Sequence, residues 1–475
     1  MKPTSEAYQA NMESPFRRPS HIRITLTSDG TDYVFADNAV LSATRTQDVD
    51  PLSRRLPTES FEFTVADFDQ IYNPSNPTGR WAATDENAPV MVEYGYEVGG
   101  EIEWLDPDYY ELDGRPEAAS NQATFKAVSK LRHLTTRFYK ISLGVYSLKG
   151  LAEAIFADAG IIDYDIDDSL ENIETNAPIP IDTHANLLQM TAHAGGCALY
   201  TQGTTIYIKK VDISEVEVEG SPITLRSIAL GGDVVTKTEP LYKVQATKYN
   251  YTNDLVMGVV FKALIDVDGE LQYHCEFSQP ASNTFAQISS GGTISNYTAY
   301  ARAADFTITG TGTFTITVAG YLINTNTDIA EAVVSLNVNG GIDSENNPLI
   351  TNESARSLML FRAAQYLLLR MTHTIEYRGA PEYEALDGVL FSTFYGTNAE
   401  GFVLKHTLEY NGALSGEMIV KSVSENRISN AILYDDWNAQ VLDSRGKEIL
   451  VIGLEPYYSD YNYIEMDDFV TEVLG

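Results

Sequence analysis

The chain has 475 residues, 44% hydrophobic and 21% charged, with 66 acidic against 32 basic side chains and a formal net charge of −34. This length exceeds what one hydrophobic core holds, so several domains are expected, and the hydrophobic share excludes a chain too polar to fold. The charge argues against nucleic-acid binding, which needs Lys and Arg to neutralise phosphates, and suits a surface that must not adhere to passing DNA.

Residues 1–20 read as an irregular arm, polar and without the apolar core of a signal peptide. From His21 the pattern is period two. Ile22, Ile24 and Leu26 alternate with polar residues, Ser28-Asp29-Gly30 makes a turn, and Tyr33-Val34-Phe35 resumes. A basic turn, Pro51 to Pro57 with Arg54 and Arg55, then feeds the strand Ser60–Val65, where Phe61, Phe63 and Val65 alternate with Glu62 and Thr64. Short strands follow at Val90–Tyr96, Glu101–Leu105, Tyr109–Leu112 and Ala123–Val128, which predicts a β-barrel or sandwich over 21–138.

The period changes at Ser147. Leu148, Leu151, Ala152, Ile155, Phe156 and Ala159 fall on a helical face, with Ser147 as N-cap and Gly160 as stop. A second helix is expected in DTHANLLQMTAHAGG, capped by Asp182 and ended by Gly195-Gly196. With the strands Cys197–Tyr200 and Thr205–Lys209 these form a small α+β module over 139–222. Strands resume over 223–277 and 328–425, a second β-domain with one long helix, Glu353 to about Thr372, capped by Ser354 or Asn352. The section 278–327 is rich in Thr, Gly, Ser and Ala. Its FTITGTGTFTITVAGYLI alternates around a glycine turn, the pattern of an inserted β-domain or long hairpin. Residues 426–475 are an acidic, Tyr-rich extension. The fold class is therefore mainly β with an α+β module, in several domains.

Sites of chemistry are sparse. There is no phosphate loop, no HExxH and no GxSxG elbow. His184 and His193 share a helix at a spacing unsuited to a zinc pair, and read as structural. Asp163, Asp165, Asp167, Glu171 and Glu174 match the spacing of a calcium loop. Asp168, however, stands where such a loop needs Gly, Pro178 and Pro180 occupy the place of the second helix, and Tyr164 and Ile166 suit a strand edge better. Asp106/Asp108 and Glu382/Glu384 are carboxylate pairs of the kind glycosidases use, and Trp81, Trp104 and Trp437 could line a sugar groove, but neither pattern is specific. Cys197 and Cys275 are the only cysteines, which suggests synthesis in a reducing compartment. The most apolar run, Leu358–Met371, is broken by Arg362, Gln365 and Arg370 and cannot span a bilayer. No catalytic, cofactor-binding or metal residue is assigned.

Several separated stretches nevertheless resemble one family. They are DPLSRRLPTESFEFTVADFDQIYNPSNPTG with VMVEYGYE and YYELDGRP; DTHANLLQMTAHAGGCALY; and YRGAPEYEALDGVLFSTFYG with LEYNGALSGEMIVKSV. Together they resemble the tail hub proteins of long-tailed bacteriophages and related tail-like particles, over about His21 to Val423 apart from the insert. The resemblance implies a structural virion component rather than an enzyme: a homotrimer ringing the tail channel at the tail tip, made in the host bacterial cytoplasm. Its implied partners are the distal tail protein, the tape measure protein and tail fibre or tip proteins, with genomic DNA passing through unbound. The alternative reading is a carbohydrate-binding or carbohydrate-active β-protein with the insert as its binding module. The basic turn at Arg54 and Arg55 is expected either to meet an acidic neighbour or to pair within its own domain.

Overall fold

The computed structural model describes residues 1–12, 19–79, 87–119, 121–211, 223, 228–335, 339–392, 398–422, 441–442 and 448–451. Trp81, Trp437 and the Tyr-rich run 455–469 lie outside the described residues.

The first unit follows its period-two pattern. In β1 (Ser20–Ser28) Ile22, Ile24 and Leu26 are fully buried. Asp29 and Gly30, at φ 49° and 71°, form the two-residue turn into β2 (Thr31–Ala36). Two positive φ values in succession give the turn whose twist matches the flanking strands. The sheet continues antiparallel through β3 (Val40–Asp48), β4 (Thr58–Ala66), β5 (Pro89–Val98), β6 (Glu101–Trp104), β7 (Asp108–Leu112), β8 (Glu117–Ala119) and β9 (Gln122–Val128). Phe61, Phe63 and Val65 face inward on β4, and Phe63 stacks on Phe125 of β9 at 4.8 Å. The N-terminal arm is not irregular throughout: Glu6–Met12 is a helix, α1. Tyr8 explains it, because its ring is buried against Tyr96 at 5.7 Å, and covering that apolar area fixes the turn of backbone carrying it.

The module comprises β10 (Arg137–Phe138), β11 (Tyr146–Ser147), α2 (Leu148–Asp158), β12 (Tyr164–Ile166), β13 (Glu174–Thr175), β14 (Asp182–Thr183), α3 (His184–Ala194), β15 (Ala198–Gln202) and β16 (Thr205–Lys209). Ser147 caps α2 by accepting from Gly150 N, as its position predicts. The cap of α3 is Thr183 rather than Asp182. Thr183 Oγ1 accepts from Asn186 N, while Asp182 Oδ1 is occupied by Thr183 N and Asn186 Nδ2. Gly195 and Gly196 end the helix, Gly196 at φ 62°.

Beyond β17 (Ile228–Lys237), β18 (Lys243–Glu276) runs 34 residues and β21 (Ala303–Val333) 31, paired antiparallel from Lys243↔Val333 to Glu276↔Ala303. No hairpin turn forms at the glycines of FTITGTGTFTIT. Gly310 and Gly312 lie within β21, facing Gly269 and Val267 of β18. There both strands fold over on themselves, since Phe261 and Tyr273, twelve positions apart on β18, have ring centroids 6.1 Å apart. Glycine is required at the bend because a Cβ on Gly310 would meet the Phe314 ring at 2.7 Å. β19 (Ala281–Ile288) pairs with β21 on one side of the bend and β20 (Thr293–Ala299) on the other. The folded ribbon encloses its own core of Val260, Ile265, Cys275, Phe306, Ile308, Phe314, Ile316 and Val318. Its base belongs to another core. Val244, Ala246, Ala330 and Ala332 pack with the module helices and with α4 (Glu353–Leu368), beside β22 (Ile342–Asn346).

Asn352 caps α4, accepting from Ala355 N. The helix stops short of Thr372 because Met371–Tyr377 is taken as β23 between β17 and β26. β24 (Gly388–Ser392), β25 (Asn398–Tyr410) and β26 (Leu414–Ser422) complete this end, and β27 (Val441–Leu442) and β28 (Glu448–Val451) extend the ribbon sheet through β21. β25 pairs with β3, from Lys405↔Asp48 to Tyr410↔Ala43. The first and last β units are thereby one fourteen-stranded sheet, ordered β17-β23-β26-β25-β3-β4-β9-β7-β5-β1-β2 with β6, β8 and β24 alongside. Among the described residues no helix is long and apolar enough to cross a membrane.

The ribbon core is separate from the others, so damage there should stay local. Ile316→Ala, at a fully buried site, is expected to cost about 2–5 kcal/mol. Hydrogen exchange should rise across the folded part of β18–β21 and in β19 and β20, while β3, β4 and β9 keep their protection.

Candidate functional site

The alternation of β3 places Ala43, Arg45 and Gln47 on the inward face. A guanidinium with no exposed surface needs compensation for its lost hydration. Arg45 Nη1 donates to Asp108 Oδ2 at 2.9 Å, and Nη2 donates to Tyr383 O at 2.9 Å and approaches His406 Nδ1 at 2.9 Å. Lys2 Nζ donates to the other oxygen of Asp108 at 2.5 Å and to Asp106 O at 2.8 Å. Burial alone would raise the Asp108 pKa, but Lys2 and Arg45 outweigh it and hold the carboxyl below its ordinary range. Burial, then the charge of Arg45, keeps His406 neutral by lowering its pKa well below the usual value.

This cluster grips the segment 378–388, RGAPEYEALDG, from every side. Tyr8 Oη donates to Glu382 Oε2 at 2.9 Å, Tyr96 Oη to Gly379 O at 3.0 Å, and Ala380 N to Tyr377 Oη at 3.2 Å. His406 Nε2 lies 2.6 Å from Tyr377 Oη. The N-terminal arm, both β units and this segment thus meet at one buried polar junction. The carboxylates Asp108, Glu382 and Glu384, which sequence reading places in two separate pairs, are brought to this junction. They act there as counter-charges and hydrogen-bond acceptors, and Asp108 is occupied by two cations.

The turn after β3 is a second junction. Ser53, at φ 51°, accepts from Leu199 N through Oγ at 2.7 Å and from Gln189 Nε2 through its carbonyl. Arg54 pairs with Glu345 at 2.5 Å and Asp343 at 3.3 Å and lies over the Tyr366 ring at 5.1 Å. Glu345 also accepts from His193 Nε2 at 2.9 Å, and His193 Nδ1 receives Asn347 Nδ2 at 3.0 Å, which sets the Nε2–H tautomer. Arg54 is therefore not an exposed docking group; it ties the first β unit to β22 and α4. Arg55 does pair locally, with Asp48, and stays half exposed.

The remaining expected residues lie apart. His184 contacts Asp158 at 3.0 Å. Three of the calcium-spaced carboxylates are engaged one by one, Asp163 with Thr204 and Thr205, Asp165 with Lys209, and Asp167 with Ser169 and Lys210 N, while Asp168, in the glycine position, pairs with Lys149. Tyr164–Ile166 is the strand β12, paired with β16, so the loop backbone a calcium site needs is absent there. Trp104 is covered by Arg23, 4.6 Å from its ring. Where the two β units and the module meet there is a cleft of about 220 Å³, lined by Gln47, Glu59, Thr201, Gln202, Lys210, Glu384 and Asp387 among others. Sequence reading missed Arg45, Lys2 and Glu59. Their one signal was a charged or polar residue on the apolar parity of a strand, as Arg45 and Glu59 are.

No protein-family model matches the chain, and no curated protein matches it. Solved structures similar to it include a tail protein of Neisseria meningitidis MC58 (TM-score 0.43, 10% identity, covering 84% of this chain and 96% of that one). Others are the 43 kDa tail protein of prophage MuSo2 from Shewanella oneidensis (0.45, 11%, 84% and 98%) and prophage tail protein gp18 of Listeria monocytogenes EGD-e (0.43, 11%, 85% and 95%). Scores below 0.5 at such identities leave function to be argued from the chain itself.

Asp108→Asn should cost about 3–5 kcal/mol in urea unfolding at neutral pH, because it leaves two buried cations without their counter-charge. A carboxyl held below its unfolded pKa contributes stability that is complete above the ordinary Asp range and is lost as pH falls through the folded value. The wild type should therefore lose its advantage over the Asn variant in acid. At the second junction, Arg54→Ala should destabilise measurably, whereas Arg55→Ala should change stability by under about 1 kcal/mol.

Proposed function

We propose that the chain is a structural component of a bacteriophage tail or tail-like particle, a tail hub at the tail tip, and not an enzyme. One observation carries this reading. The separated stretches that resemble tail hubs converge on one framework. RLPTESFEFTV supplies β4 beside β3, RGAPEYEALDG is the segment gripped by Arg45, and YNGALSG is the turn joining β25 to β26 on the far side of β3. Residues that recur for chemistry would surround a reacting centre. These instead hold two β units in one sheet and fix the orientation of the module.

In this reading three copies surround the tail channel, meet the distal tail protein on one side, and carry tip or fibre components on the other. The tape measure protein and the genome pass through. The net charge of −34 suits a channel wall that DNA must slide along. Mass photometry of the purified chain, alone and with a distal tail protein from the same genome, should give a particle of three copies. A strict monomer under both conditions refutes the trimeric hub, and a trimer whose channel is neutral or basic refutes the assignment of charge.

A further inference from the structure

The folded part of the ribbon has two faces. One encloses its core, with Val260, Ile265, Ile316 and Val318 buried. The other is turned outward. Strand alternation, reset once by the register shift at Val259/Phe261, puts Met257, Val259, Lys262 and Leu264 of β18 on it. The register carries this face across the sheet, since Ala319 of β21 lies opposite Val259 on one side and Phe285 of β19 on the other. Met257, Val259, Leu264 and Phe285 are 40–74% exposed. At one end the ladder shifts register between Asn253 and Met257, which leaves Leu255 and Val256 outside it, 93% and 69% exposed. Asp254 Oδ1 accepts from both of their amides, at 2.6 and 3.3 Å, so this apolar knob is held in place. These six are among the seventeen large apolar side chains exposed in the described residues, so the patch is one surface rather than scatter.

Its charge sets this face apart from the rest of the chain. The stretches that build it, 255–265, 281–290 and 313–323, hold one charged side chain, Lys262, and no acid. With 66 acidic residues in 475, a stretch of that combined length would on average carry four or five. Asp254 and Asp266 mark the two ends of the face on β18. Copies of a chain with net charge −34 repel wherever acids face acids, and here none do. A basic partner would be drawn to the acidic remainder of the surface instead, and a partner with a charged rim would find only Lys262 to pair with. A surface of the same kind needs neither.

We propose that the outward face of the folded ribbon is where one copy of this chain meets another, sheet against sheet. Stacked sheets pack about 10 Å apart and interdigitate their facing side chains, which here are Val259, Leu264, Phe285 and their neighbours. Three strands about 4.8 Å apart and about ten residues long give a face of about 450 Å² per copy. The total of about 900 Å² is below that of a standard stable interface, so the contact is reversible and not obligate. It requires two copies and no tail, and therefore does not depend on the tail-hub reading.

Sedimentation equilibrium of the full chain from about 1 µM to about 200 µM should show reversible association. Val259→Glu combined with Leu264→Glu puts acids at outward, exposed positions, where an unchanged unfolding midpoint confirms the fold. It should weaken association about tenfold or more. Val259→Lys combined with Leu264→Lys should do the same alone, and an equimolar mixture of the two double variants should associate again. A wild-type chain that stays single throughout, association unmoved by the Glu variant, or a mixture that fails to associate each overturns the contact. A three-copy particle indifferent to both variants overturns it and leaves the tail-hub reading intact, whereas a pair dissolved by them upholds it and refutes the ring of three. Benzoylphenylalanine in place of Phe285 reads the occupant without any charge change. A photo-cross-link to a second copy upholds the contact, and one confined to the chain's own residues overturns it.

Discussion

The structure depends on a charge that has no access to water. Arg45 sits on the inward face of β3, in the middle of the fourteen-stranded sheet, and its compensation comes from three distant parts of the chain. Asp108 supplies the counter-charge, Tyr383 a carbonyl, and Lys2 the second cation that Asp108 also neutralises. Such a cluster adds little net stability compared with an apolar core of the same volume. Its effect is specificity: the docked N-terminal arm supplies Lys2 to one Asp108 oxygen, and the segment 378–388 supplies the Tyr383 carbonyl to Arg45 Nη2.

The second junction extends the same logic to the module. Ser53 and Arg54 lie in a turn of the first β unit, yet they hold α3, β15 and β22. The large apolar core is shared by the module, the base of the ribbon and α4, so these elements form one body. The folded ribbon beyond residue 258 stands on that body with its own core. It meets the module at its foot, where Tyr139 packs on His274 at 4.2 Å and Arg137 pairs with Glu276 at 2.6 Å. The polar contacts set orientation and the apolar cores supply cohesion.

What was legible in the sequence is what local chemistry controls. Alternation gave β1 and β4, Ser147 announced its helix, Asn352 was one of two caps on offer for α4, and Gly195-Gly196 ended α3. Where two capping residues stand side by side, as at Asp182 and Thr183, composition does not decide between them; Thr183 Oγ1 takes Asn186 N, while Asp182 Oδ1 is occupied by Thr183 N and Asn186 Nδ2. The glycines of residues 308–314 read as a turn because a turn and a bend use the same residue. Only the partner strand, forty residues away, shows that β21 continues through them. The N-terminal helix was hidden because its cause, a pocket for Tyr8, is assembled from β5 and the segment at Glu382. The two junctions were invisible for the same reason. Arg45 and Glu59 are polar residues on an apolar parity, but their partners lie 63 to 361 positions away or on another unit.

The pairing of β3 with β25 has a consequence for how the protein is made. β3 leaves the ribosome early, and β4 covers one of its edges almost immediately. Its other edge waits for His406 and its neighbours, 361 residues later. During that interval the nascent chain carries an unpaired strand edge and an arginine without its Tyr383 and His406 partners, facing an incomplete core, the features that invite mispairing between chains on one polysome. Completion of the sheet is thus a late, long-range event with a high loop-closure cost, and the last strands synthesised decide whether the first ones are committed. Truncated chains ending before β25 would keep most of their sequence and lack the step that makes the molecule one piece.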